Sequence, residues 1–101
     1  MPVTPNTMNA TTQTAPAELS SANARLWKDR VVKNITSDPL GTSIDLSNTR
    51  FIDSSGLGVL LSLNKSIRAR GGVMKLLNPS SAVAQLIELT RLHRVFEIVH
   101  A

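Results

Sequence analysis

One unit recurs along this chain and limits its fold. A short β-branched or aliphatic run is followed by small, turn-forming residues, and then by apolar residues spaced three and four apart. TSIDLS, Thr42 to Ser47, reads as a buried strand. From Ser54 or Ser55 to Arg70 the pattern is helical. Leu57, Leu60, Leu61 and Ile67 lie on a broad apolar face with Val59 and Leu63 beside them, and Lys65, Arg68 and Arg70 form the wet end. Gly71-Gly72 ends it, since glycine enters the left-handed region freely. VMKLL, Val73 to Leu77, is the next strand. Asn78 as cap and Pro79 at the first helical position then open a helix with Val83, Leu86, Ile87 and Thr90 inward. VFEIV, Val95 to Val99, is the last strand. Ahead of all this, Ala24, Trp27, Val31 and Ile35 share one face of a helix from about Ser20 to Ile35, capped by Ser20 or Ser21, with Trp27 as a core anchor. SDPLG, Ser37 to Gly41, turns out of it. Strands alternating with helices make an α/β fold with a mostly parallel sheet.

With 101 residues the chain is one domain at most. Residues 1–16, MPVTPNTMNATTQTAP, are rich in Thr, Asn and Pro and are expected to be a flexible segment, with TTQTA able to form one weak strand. The domain proper is expected over 17–101. Val59-Leu60-Leu61 is broken at once by Ser62, and no basic-then-apolar leader opens the chain. The expectation is a cytoplasmic protein without membrane insertion. There is no cysteine, and His93 and His100 have no metal-site spacing around them. A net charge of +4 raises nucleic acid as a partner. The scattered basic clusters and an aromatic content of 3% argue against direct nucleic-acid binding.

The stretch FIDSSGLGVLL, Phe51 to Leu61, holds the candidate site. Ser54-Ser55-Gly56 falls between a strand and a helix, at the carboxyl end where ligands meet open α/β sheets. On the residues alone, ordinary helix capping is the more economical reading, with Asp53 binding loop amides. The sharper reading is a loop presenting Ser55 for phosphorylation. Free amides at a helix start favour phosphate, Gly56 and Gly58 leave the backbone open, and Asp53 would repel the new charge. A nucleotide loop fits less well, since the Gly-x-x-x-x-Gly-Lys pattern is missing, and a serine hydrolase fits poorly, since Gly-x-Ser-x-Gly and an acid–histidine pair are missing. No acid–base constellation marks an enzyme.

DLSNTRFIDSSGLGVLLSLNKSIRARGG resembles the signature of the STAS domain, the sulfate-transporter and anti-sigma-factor-antagonist family. The likeness continues through VMKLLNPSSAVAQLIELTRLHRVFEIV and reaches back to ELSSANARLWKDRV, covering about Ala17 to Val99. The ending Leu-x-x-Val-Phe-x-Ile, Leu92 to Ile98, favours the bacterial antagonist branch. The resemblance implies a non-catalytic partner switch without a cofactor. The unmodified antagonist binds an anti-sigma factor serine kinase and frees a sigma factor; phosphorylation of the second serine releases it, and a serine phosphatase restores it. By position that serine is Ser55. Asp53 supports recognition or the reaction, Ser54 and Gly56 shape the loop, and the helix surface beginning at Leu57 and Gly58 meets the partner. Glu18 lies in the family's acidic loop, which helps engage the kinase. Here Ser20 stands where aspartate is common, and Ala17 where glycine is common. The usual N-terminal apolar strands look reduced or missing. A bare sheet edge then implies self-association into a homo-oligomer or reliance on a partner, unless the start site is mis-assigned. The alternative within the fold is a scaffold subunit of a transporter or a stressosome-like complex, in which Ser55 is never modified.

Overall fold

The computed structural model describes residues 11–35 and 41–100. Its elements run β1 (Thr11–Thr14), β2 (Glu18–Leu19), α1 (Ala24–Ile35), β3 (Gly41–Asp45), β4 (Phe51–Ile52), α2 (Ser54–Ala69), β5 (Val73–Leu77), α3 (Ser81–Leu89), a 3-10 turn (Leu92–Arg94) and β6 (Glu97–Val99). The main sheet has the order β1-β3-β5-β6, and every described pairing in it is parallel. A second, two-residue pair joins β2 to β4, with Glu18 opposite Phe51 and Leu19 opposite Ile52. The Thr-rich segment thus supplies an edge strand, β1, whose Thr12 and Thr14 are exposed. The SDPLG turn lies outside the described residues except for Gly41, the first residue of β3.

One core holds the elements together. Thr42, Ile44 and Leu46 on and after β3, and Met74 and Leu76 on β5, turn to the helices. Ala24, Trp27, Val31 and Ile35 meet them from α1, as their spacing predicts, and Leu57, Leu60, Leu63 and Ile67 from α2. The other face of the sheet carries Ser43, Val73, Lys75 and Glu97, and it is partly or fully exposed. Trp27 anchors the edge strand: its Nε1–H donates to the Thr14 carbonyl at 3.2 Å.

Several boundaries differ from the sequence expectation. The regular part of α1 begins at Ala24, one turn after Ser20, which caps it as expected. The Ser20 amide donates to Asn23 Oδ1 at 3.0 Å, and the Ala22 amide to Ser20 Oγ at 3.3 Å. These are the reciprocal bonds of a cap, and the Ala24 amide then donates to the Ser20 carbonyl at 2.7 Å. Helix α3 is capped by Ser80, not Asn78: the Val83 amide donates to Ser80 Oγ at 3.4 Å. Asn78 instead takes a left-handed conformation, φ 50°, at the end of β5. Thr90 is exposed rather than inward, and its hydroxyl donates to the Leu86 carbonyl at 3.0 Å. The last strand starts at Glu97, since Val95 and Phe96 close the 3-10 turn through amide bonds to Leu92. The stop of α2 follows expectation. Gly71 has φ 84°, and the amides of Gly71 and Gly72 reach back to the carbonyls of Arg68 and Ile67, both at 2.9 Å.

Candidate functional site

The head of α2 stands on the small β2–β4 pair. The Asp53 amide donates to the Leu19 carbonyl at 3.2 Å, and the Arg50 amide to the Ala17 carbonyl at 2.8 Å. Thr49, fully buried, donates its hydroxyl to the Pro16 carbonyl at 2.8 Å. Asp53, in an extended conformation, then caps α2, and Oδ1 accepts from the Gly56 amide at 3.0 Å. Its other oxygen, Oδ2, accepts from the Ser21 amide at 3.0 Å. One carboxylate therefore links the head of α2 to the turn before α1. Ser21 carried no sequence signal for this role, because any residue at that position offers the same amide.

Gly56 is fixed by close approach. A Cβ there would overlap the Leu19 carbonyl oxygen and lie 2.8 Å from Ile52 Cγ2. Gly58 is the opposite case, exposed in the helix with nothing within 4 Å of the point where a Cβ would stand. Ser54 and Ser55, in the first turn, are both exposed. Leu57 is buried, so it holds α2 on the core and presents no surface. Glu18 is exposed on β2, in register with Phe51, which is itself 51% exposed. The structure thus groups Asp53, Ser54, Ser55 and Gly56 at one helix head, with Glu18 on the adjoining short strand and Gly58 one turn along. Among the described residues no cluster of acids and histidines could hold a metal ion. No described helix is long and apolar enough to cross a membrane.

Donation from the Gly56 amide, and then from Ser21, holds the Asp53 carboxyl below its ordinary value of 3.8. Its contribution to stability is therefore complete above that value and is lost as the pH falls through the depressed folded value. We expect Asp53→Asn, which keeps a capping oxygen, to be less stable than wild type at pH 7. The gap should close as the pH is lowered below the carboxylate range. Thermal melts across that range check this; a gap independent of pH would refute it.

Comparison with known families brings in one decisive match: residues 1–101 match the STAS domain. The chain belongs to the STAS domain family. A Thermotoga maritima protein named as a candidate anti-sigma factor antagonist is 34% identical over 82 residues, spanning 80% of this chain and 73% of that one. The anti-sigma F factor antagonist of Paenibacillus polymyxa is 36% identical over 55 residues, 54% of this chain and 47% of that protein. Among solved structures, a crystal structure of a Thermotoga maritima candidate anti-sigma factor antagonist superposes with a TM-score of 0.77 at 31% identity, covering 86% of this chain and 75% of that one. The anti-sigma factor antagonist SpoIIAA in its unphosphorylated form gives a TM-score of 0.75 at 22% identity, covering 92% and 80%, a likeness of fold. The STAS resemblance carried by the Asp-Ser-Ser-Gly string and the α/β architecture expected from alternating strands and helices are both borne out.

Proposed function

We propose that this STAS domain protein is a non-catalytic anti-sigma factor antagonist. It binds an anti-sigma factor serine kinase and is switched by phosphorylation of Ser55, with a serine phosphatase to reverse it. The observation that carries the reading is an exposed serine hydroxyl on the first turn of a rigidly seated helix. Relatives named as antagonists support the role. A kinase must reach a hydroxyl whose position does not drift. Gly56 packed on Leu19 and the Asp53 cap supply that. A phosphate added at a helix N-terminus is favoured by the helix dipole, so the fold tolerates it. Its effect falls on the surface, where it adds close to two negative charges next to ionised Asp53. Gly58 fits the same picture. An exposed helical glycine costs about 1 kcal/mol relative to alanine, and among the described residues no packing requires it. It leaves the backbone open for a partner.

The test is intact-mass measurement after incubation with the serine kinase encoded in the same genome and Mg-ATP. Wild type should gain one phosphate and Ser55→Ala none. Ser55→Ala should keep wild-type stability to within about 0.5 kcal/mol, as an exposed substitution. Ser55→Asp should weaken partner binding by about tenfold through its charge. If a kinase active on another antagonist leaves wild type unmodified, the switch reading fails and a constitutive scaffold takes its place.

A further inference from the structure

The charge of this chain is segregated. Helices α1 and α2 carry six of the eleven Lys and Arg residues (Arg25, Lys28, Arg30, Lys33, Lys65 and Arg68) and one of the seven acids, Asp29. The rest of the chain is close to neutral, with five basic residues against six acids. The net charge of +4 is therefore a property of one helical layer.

Helix stability does not account for this pattern. Lys33 and Arg68 lie in last turns, where the dipole favours a cation. Arg25 lies in the first turn of α1, where the dipole opposes one, and neither helix has an acid in its first turn. Only Asp29 offers an acid for pairs four apart along the surface.

The fold places the opposed charges beside the site. Trp27 and Asn34 bond to Thr14 and Gln13, so their flank of α1 faces the edge strand. Lys28 and half-buried Val32 lie on the opposite flank by helical spacing, and α1 packs beside α2. The Ser21–Asp53 bond keeps the two helix heads at the same end. Arg25 and Lys28 thus border the surface that presents Ser55 and Gly58.

We propose that the α1–α2 face docks on an acidic surface of a protein partner, and that Arg25 and Lys28 supply the attraction that phosphate on Ser55 cancels. The partner is the kinase-type anti-sigma factor, so the inference rests on the function proposed above and adds its recognition chemistry. Before modification, a basic face meets an acidic one and association is fast and salt-sensitive. After modification, a doubly charged phosphate at the margin of the face repels the same partner. A nucleic-acid ligand is less well served, because the one aromatic residue of these helices, Trp27, is buried.

The test uses the full chain and the serine kinase of the same genome, with affinity measured from about 50 mM to about 400 mM salt, a range over which screening changes severalfold. The variants are wild type, Arg25→Glu/Lys28→Glu, and Arg91→Glu/Arg94→Glu as a control of equal charge change. We expect steep salt dependence for wild type, a loss of roughly tenfold or more for the first variant, and less than about threefold for the control. Circular dichroism confirms that both variants fold. Equal binding by wild type and the Arg25/Lys28 variant, with Ser55 still phosphorylated, overturns the acidic-partner inference and leaves the antagonist reading standing. Absence of binding and of phosphorylation in wild type overturns both. Tighter wild-type binding to a labelled DNA duplex or to phosphatidylserine vesicles than to the kinase also overturns the inference, and reassigns the basic face.

Discussion

Gly56→Ala should destabilise the chain by about 3 kcal/mol, whereas Gly58→Ala in the same helix should stabilise it by about 1 kcal/mol. The two changes add the same methyl group to one turn of α2, so propensity alone would make both favourable. The difference lies in what the methyl meets. At Gly56 it overlaps the Leu19 carbonyl and crowds Ile52, and both belong to the short strands that seat the helix. Backbone cannot swing aside as a side chain can, so α2 must lift or β2 must part from β4. At Gly58 the methyl enters open space. Urea unfolding with unchanged slope measures both. Equal and opposite shifts are not required, but a stabilised Gly56→Ala would mean that the β2–β4 seat is not formed in solution.

Leu60→Ala should cost about 2–5 kcal/mol. Leu60 is fully buried, and it lies on the inward face of α2 with Leu57, Leu63 and Ile67. In a chain of this size the loss is a large share of the total stability. The variant serves as the counterpart to Ser55→Ala, which lies near the start of the same helix on the outer surface and should barely move the midpoint. If Leu60→Ala unfolds no earlier than wild type, the packing of α2 against β5 and α1 is wrong.

Much of this molecule can be read from its residues, for definite reasons. The spacing Ala24, Trp27, Val31, Ile35 has one helical solution, and the structure buries all four. Gly71-Gly72 after Arg70 spells a helix stop, and the carbonyls of Ile67 and Arg68 receive the expected amides. Legibility fails where short polar side chains bond locally. Ser80 takes the cap from Asn78, and Asn23 joins the Ser20 cap of α1 unannounced. Those choices turn on bond geometry that residue type alone does not settle. Thr11–Thr14 shows another limit. Its β-branched threonines permit the weak strand expected there, but its place in the sheet follows only from pairing with β3 and from the Trp27 bond. At the site, the Asp-Ser-Ser-Gly string announces the loop. The bond from Asp53 to Ser21 stays hidden, because it joins a carboxylate to a backbone amide 32 residues away.

That bond has a consequence in polymer terms. It closes a loop containing all of α1 and β3, and such a closure costs entropy that grows with the logarithm of loop length. The β2–β4 pair has already brought the same two segments together, with Leu19 opposite Ile52. The Asp53–Ser21 bond then adds little further restriction. A carboxylate that would be a poor tether in an open chain becomes an effective one here, because the strand pair has already met most of the closure cost.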